Sequence, residues 1–322
     1  MLVVGRNGAG KTNLLESLHL ATQGFSPRTR QDAQSIRFGE SAARVTVRGR
    51  RGASPLERAV TRRRGEAKEA RLNGARLPSA EALRREVSTL VFTPDRLAVV
   101  KGSPAARRAY FDRVLARLQP ARAGVPQDYL AVLAQRNAAL RRVQFGLSSR
   151  DALEPWTERL AELGADLVTE RRRTLELLRP GFADRADELG LPDARLVYDA
   201  SPPTAAMLEA RLARDVERCT TGVGPHLDDV LIASGDRDLR RFGSQGEQRL
   251  AVLSLLLAEA ELLRPAPLLL LDDVLSELDP GRREVLAERV AKVGQTMITA
   301  THRSALPAEP TQLVEVADGT AR

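Results

Sequence analysis

Aromatic side chains make up only 3% of this 322-residue chain, and cysteine occurs once. The single thiol, Cys219, cannot close an internal disulfide, and no second cysteine is present for a zinc cluster or a redox pair, which fits the cytosol. So few rings argue against a single-strand binder that works by stacking bases. Long hydrophobic runs are missing too. Stretches such as Leu268 to Leu271 fall far short of a membrane span, and no charged region followed by an apolar one opens the chain. A soluble, cytoplasmic protein with no membrane partner is expected.

Lysine is nearly absent, at Lys11, Lys68, Lys101 and Lys292 alone, so arginine carries most of a formal charge of +8. Such a balance suits a phosphate-bearing partner, nucleic acid ahead of membrane. A GC-rich genome would give the same arginine bias, so charge by itself assigns no partner. At 43% hydrophobic, the chain can build one large α/β domain with an insert or two smaller domains.

Periodicity sketches the order of elements. A short buried strand at 2–4 leads through a glycine-rich turn into a helix over 10–20. Residues 44–77 alternate as strands do, with a tight hairpin at Asn73-Gly74, and 90–92 reads as another strand. Amphipathic helices are expected over 105–219, broken near 120–126, 147–149, Pro180 and 202–203. An α/β pattern returns from Gly222, with strands at 230–233, 267–272, 295–300 and 312–316. Helices over 245–263 and 281–292 separate them. The expected organisation is therefore one α/β lobe in two halves, over 1–104 and 220–322, with a helical lobe over 105–219 between them.

Gly5-Arg6-Asn7-Gly8-Ala9-Gly10-Lys11-Thr12 has the spacing of a phosphate loop, in which glycines let backbone N–H groups curl around a triphosphate at a helix N-terminus. These residues, with Asn13 after them, are the candidate ATP contacts. Lys11 would reach the β and γ phosphates, and the Thr12 hydroxyl would help to hold Mg²⁺. Far along the chain, Leu268-Leu269-Leu270-Leu271-Asp272-Asp273 is an apolar run ending in two acids. Adjacent anions repel and call for a cation, so Asp272 is expected beside Mg²⁺ and Asp273 as the group that polarises the attacking water.

Ahead of that strand, Ser244-Gln245-Gly246-Glu247 opens a helix. A serine there also serves as an ordinary N-cap. The segment resembles the ABC signature loop, Leu-Ser-Gly-Gly-Gln, with Gln245 for a glycine and Glu247 for the glutamine. Ser276-Glu277-Leu278-Asp279 and Thr301-His302 follow the acids as that superfamily's D-loop (Ser276, Asp279) and switch histidine (His302) do. The fold implied is α/β, an ABC-type P-loop ATPase head with a mixed sheet flanked by helices and an inserted helical lobe. The same resemblance implies a homodimer with ATP sandwiched between Lys11 and Asp272 of one subunit and Ser244 of the other.

At finer grain the chain resembles the RecF family. Residues 93–97 (Thr-Pro-Asp-Arg-Leu), 101–104 (Lys-Gly-Ser-Pro), Arg107-Arg108, Gln135-Arg136-Asn137, Gly224-Pro225-His226, Asp228-Asp229 and the run 272–279 carry the likeness. It implies an ATP-dependent recombination mediator acting at gapped or junction DNA in replication, repair and the damage response, with RecO, RecR and RecA as partners. Turnover is expected to be weak and DNA-stimulated, a conformational timer. Candidate DNA contacts are Arg48, Arg50, Arg51, Arg62, Arg63 and Arg64 on the β-rich part, and Arg141, Arg142, Arg171, Arg172 and Arg173 on the helical part. Other readings are a clamp or scaffold that does not hydrolyse ATP, or another ABC-class subunit.

Three departures from the family stand out. Only residues 1–4 precede the phosphate loop where the family has further strands, so the true start is expected upstream, the alternative being a sheet with an unpaired edge. Leu227 replaces an arginine. The Q-loop glutamine has no clear position, with Gln31 and Gln34 as candidates.

Overall fold

The chain opens on strand β1 (Leu2–Val4) and helix α1 (Lys11–Gln23). An antiparallel meander follows, β2 (Ala42–Arg51), β3 (Ser54–Arg63), β4 (Glu69–Leu72) and β5 (Ala75–Arg76), and then strand β6 (Thr89–Phe92). Next come α2 (Ala98–Lys101), α3 (Pro104–Leu118), α4 (Val125–Gln144), α5 (Glu154–Glu188), β7 (Ala194–Val197), α6 (Ala205–Glu209) and α7 (Leu212–Arg218). Strands β8 (Leu231–Ser234) and β9 (Arg237–Asp238) lead to α8 (Leu239–Phe242) and α9 (Gln245–Leu262). The last elements are β10 (Leu268–Leu271), α10 (Pro280–Val293), β11 (Thr296–Ala300), β12 (Leu313–Ala317) and β13 (Thr320–Ala321). This computed structural model describes residues 1–29, 31–85, 87–93 and 97–322, with the side chains of 32, 33, 51, 81 and 85 outside the description. Two units divide the chain, Met1–Arg96 with Leu263–Arg322, and Leu97–Leu262.

The first unit is built on a six-stranded sheet in the order β13-β12-β1-β11-β10-β6. Its strands run parallel except for β13, which turns back antiparallel on β12. Strand β1 is flanked by β11 and β12, so the phosphate-loop strand lies inside the sheet. Leu269, Leu270 and Leu271 are fully buried, as a parallel strand with a neighbour on each side requires. Register aligns Val91, Leu270 and Met297 across three strands, and this row packs with Val3, Val316 and Leu15 of α1 as one core. Each such side chain contributes about 1.5–3 kcal/mol by leaving water. The meander forms a separate four-stranded sheet, and Asn73 and Gly74 take the positive φ values of its expected hairpin turn.

In the second unit α5 is the central helix, packed against α3, α4 and α9. It runs unbroken through Pro180, where a break was expected. Proline cannot donate to the carbonyl one turn back and costs a helix interior about 3 kcal/mol. Leu175, Leu178, Phe182 and Ala186 nevertheless continue a single buried stripe across it. Next to the proline, Gly181 brings its backbone against α9, where an added Cβ would lie 3.4 Å from the Ala258 methyl.

The boundaries differ from the expected 104/105 and 219/220. Strand β8 pairs antiparallel with β7 and β9 in a small sheet of this unit, not in the six-stranded sheet, and α9 packs on α5. A four-residue strand contains no sign of which sheet will take it, and β7 itself lies inside the stretch that reads as helical.

Candidate functional site

The turn after β1 is shaped by two glycines at positive φ, Gly8 at 83° and Gly10 at 111°, a backbone that side chains resist. Gly10 caps α1, and Leu14 N–H donates to its carbonyl, so the helix begins with its free N–H groups facing the loop. Lys11 is 8% exposed, and its ammonium lies on the same loop, donating to the carbonyls of Gly5 (2.7 Å) and Arg6 (3.1 Å). An anion at this turn would meet backbone donors, a helix dipole and a fixed cation together.

The two acids follow β10 at the same end of the sheet. Thr12 Oγ1 donates to Asp272 Oδ1 at 3.0 Å, joining residues 260 positions apart. With its proton committed there, the Thr12 hydroxyl keeps its lone pairs for a cation, and the adjacent acid supplies negative charge, so this pair fits Mg²⁺. Asp273 has φ 49°, uncommon for a residue with a side chain. Its N–H donates to Thr299 Oγ1 at 2.9 Å, and the same hydroxyl donates to Asp272 Oδ1 at 2.8 Å. In the D-loop, Ser276 Oγ donates to the Asp273 carbonyl, and Asp279 caps α10 by accepting from Arg282 N–H. His302 is exposed directly after β11.

Beside the loop lies a cavity of about 1220 Å³, ample for a nucleoside triphosphate. Its wall includes Arg6 to Gly10, Asn13, Arg28, Gln34, Arg37 and the turn from Val316 to Gly319. Gly319 N–H donates to Ala9 O, so the C-terminal hairpin braces the phosphate loop. Of the two Q-loop candidates, Gln34 lines the cavity, and its amide donates to the Gln31 side chain.

The signature segment belongs to the second unit. Glu247 N–H donates to Ser244 Oγ and Ser244 N–H to Glu247 Oε2, a reciprocal capping box at the start of α9. The Ser244 N–H, together with Arg237, holds the Glu247 carboxyl below its ordinary range. Glutamate in place of the signature glutamine thus has a local role as the helix cap.

The family model described as RecF/RecN/SMC N terminal domain matches residues 1–321. A DNA replication and repair protein RecF from Heliobacterium modesticaldum is 37% identical over 96% of this chain and 88% of its own. Another from Frankia alni is 38% identical over 96% and 89%. This chain belongs to the RecF family. Among solved structures, the recombination mediator protein RecF-ATP of the RecFOR pathway superposes with a TM-score of 0.85 at 28% identity, covering all of this chain and 90% of that one. The Smc head domain from Pyrococcus furiosus shares the fold, with a TM-score of 0.60 at 18% identity.

The RecF-like stretches of the second unit turn out to be internal braces around residues 221–229. Arg107 pairs with Asp229, and Arg108 donates to the Asp228 carbonyl. Arg136 reaches Asp215 and Thr221, and Asn137 accepts from both the N–H and the hydroxyl of Thr221. Pro94, Asp95 and Arg96 of the first stretch lie outside the described residues.

Two candidate DNA contacts, Arg62 and Arg171, need correction on the same ground. Arg62 is 2% exposed and donates to Ser35 Oγ, because β3 turns that face toward the Val60 core. Arg171 is buried between Asp112 and the Pro225 carbonyl, whereas Arg172 is exposed, with its guanidinium donating to the Ala200 carbonyl. Arg48, Arg50, Arg63, Arg64, Arg141, Arg142 and Arg173 are exposed, while the Arg51 side chain lies outside the description. The residue this RecF-family site uses that sequence reasoning missed is Thr299. Its one signal is a hydroxyl within the apolar run Met297-Ile298-Thr299-Ala300.

Proposed function

We propose that this chain is an ATP-dependent recombination mediator of the RecF type that closes as a homodimer on gapped or junction DNA. The reading rests above all on the Thr12–Asp272 hydrogen bond, which unites the phosphate loop and the acid strand into one site in a family of ATPases. Gly5 to Asn13 grip the phosphates, with Lys11 as the charged contact and the loop N–H groups as the shape-matched ones. Thr12 and Asp272 would hold Mg²⁺, which would supply charge neutralisation on the triphosphate. Asp273 would polarise the attacking water, with His302 as the second catalytic residue. Ser244 to Glu247 of one subunit complete the partner subunit's site, with Ser276 and Asp279 lining the same seam.

In this scheme ATP holds the dimer shut because both subunits contact it, and loss of the γ phosphate releases them. Exposed arginines, Arg50, Arg63, Arg64, Arg141 and Arg142 among them, follow the DNA backbone. RecO and RecR act with the closed form to place RecA on single strands in the cytoplasm. The test is ATP hydrolysis with and without gapped duplex. Slow turnover that DNA accelerates supports the reading, with Asp273→Asn keeping ATP binding while slowing hydrolysis by about 100-fold or more. Hydrolysis unaffected by Asp273→Asn would remove the role assigned to that acid. ATP binding with no turnover on any DNA would favour a non-hydrolysing clamp.

A further inference from the structure

Thr299 is fully buried in β11, and the register explains why it meets both acids. Leu271 pairs with Ile298 across β10 and β11, so the next position on each strand brings Asp272 beside Thr299. On its other side β11 pairs with β1, with Thr299 opposite Val3, two residues before the phosphate loop. One hydroxyl therefore stands between the strand that carries the acids and the strand that carries the loop.

Its hydrogen bonding has a fixed direction. Asp273 N–H can only donate, so the Thr299 oxygen accepts there, and its single proton goes to Asp272 Oδ1. Thr12 donates to the same oxygen. Two hydroxyls thus pin one oxygen of Asp272, and the contact to Asp273 N–H supports that residue in the left-handed conformation in which its φ is 49°. A left-handed residue with a side chain is held at a cost and needs such support.

We propose that Thr299 is a positioning residue for the nucleotide site, setting the carboxylate of Asp272 for divalent-cation binding and the backbone of Asp273 for water activation. This rests on reading the site as one for Mg²⁺-ATP. Thr299 itself touches neither nucleotide nor metal. It acts through the two acids, as partners that orient a ligand commonly do.

The experiment compares Thr299→Val, which keeps the shape and removes the hydroxyl, with Thr299→Ser, which keeps the hydroxyl and removes the methyl. Binding of a fluorescent ATP analogue is titrated with Mg²⁺ and repeated in chelator, and thermal melting reports on folding. The expected result for Thr299→Val is unchanged binding in chelator but a Mg²⁺ midpoint raised about tenfold. Its kcat stays low when Mg²⁺ saturates, while Thr299→Ser keeps the wild-type midpoint. A wild-type midpoint in a folded Thr299→Val would overturn the proposal. So would Thr299→Ser losing as much as Thr299→Val, since that would assign the effect to packing. If the wild type itself bound the analogue without regard to Mg²⁺, the reading of the site would fail first, a result distinguishable from either of these.

Discussion

At His226 the two ring nitrogens have partners of opposite kind. Nε2 lies 3.0 Å from the Thr221 carbonyl, which can only accept, so that nitrogen carries the proton. Nδ1 then accepts from the Tyr129 hydroxyl at 2.7 Å, and the neutral ring is fully satisfied. Burial lowers the imidazole pKa and Arg108 lowers it further, against opposing pulls from Thr221, Asp228 and Asp215, and burial also pushes the Tyr129 phenol up. Because the folded pKa lies below the unfolded value of about 6.5, the unfolded chain takes up the proton first as pH falls. Stability from this group is complete above that value and is lost as pH drops from there toward the folded pKa. Urea unfolding across that window is expected to show the slope in the wild type and a flatter one in His226→Gln. An unchanged slope would assign the proton elsewhere.

Legibility at this scale follows the chemistry. Gly8 and Gly10 could be read because a tight turn into a helix demands glycine where φ is positive, and they take φ of 83° and 111°. Thr299 could not, since a threonine in an apolar strand acquires meaning only when the register sets it beside Asp272. Arg62 and Arg63 are neighbours of one type, yet one is buried and the other exposed, because alternate strand residues face opposite sides.

For the elements, apolar periodicity located most strands and helices, including β10 and α9, because each buries a long stripe. Pro180 shows where local rules give way, as the stripe from Leu175 to Ala186 carries α5 through a residue that favours a break. Replacing it with alanine restores a backbone donor at no cost in buried area. Pro180→Ala is accordingly expected to stabilise the chain by about 1–2 kcal/mol, with the urea midpoint raised and the m-value unchanged. A lower midpoint would mean that the α5–α9 packing depends on the proline's own shape. The membership of β8 was illegible for another reason, since its partner β7 is a short strand within a helical stretch and pairing is decided at long range.

At the scale of the whole molecule, the chemical groups divide between the two units. Phosphate loop, acids, D-loop and His302 belong to the first, and the signature serine belongs to the second. An ATP sandwiched between subunits would use both units from each of two copies, which is the central claim. Sedimentation velocity in Mg²⁺-ATP, with and without gapped duplex, tests it most directly. The expected result is a shift from one to two subunits that needs ATP, is strengthened by DNA, and disappears with either Lys11→Ala or Ser244→Arg. A single subunit in saturating ATP and DNA, or a dimer that forms equally without nucleotide and in both variants, would contradict it.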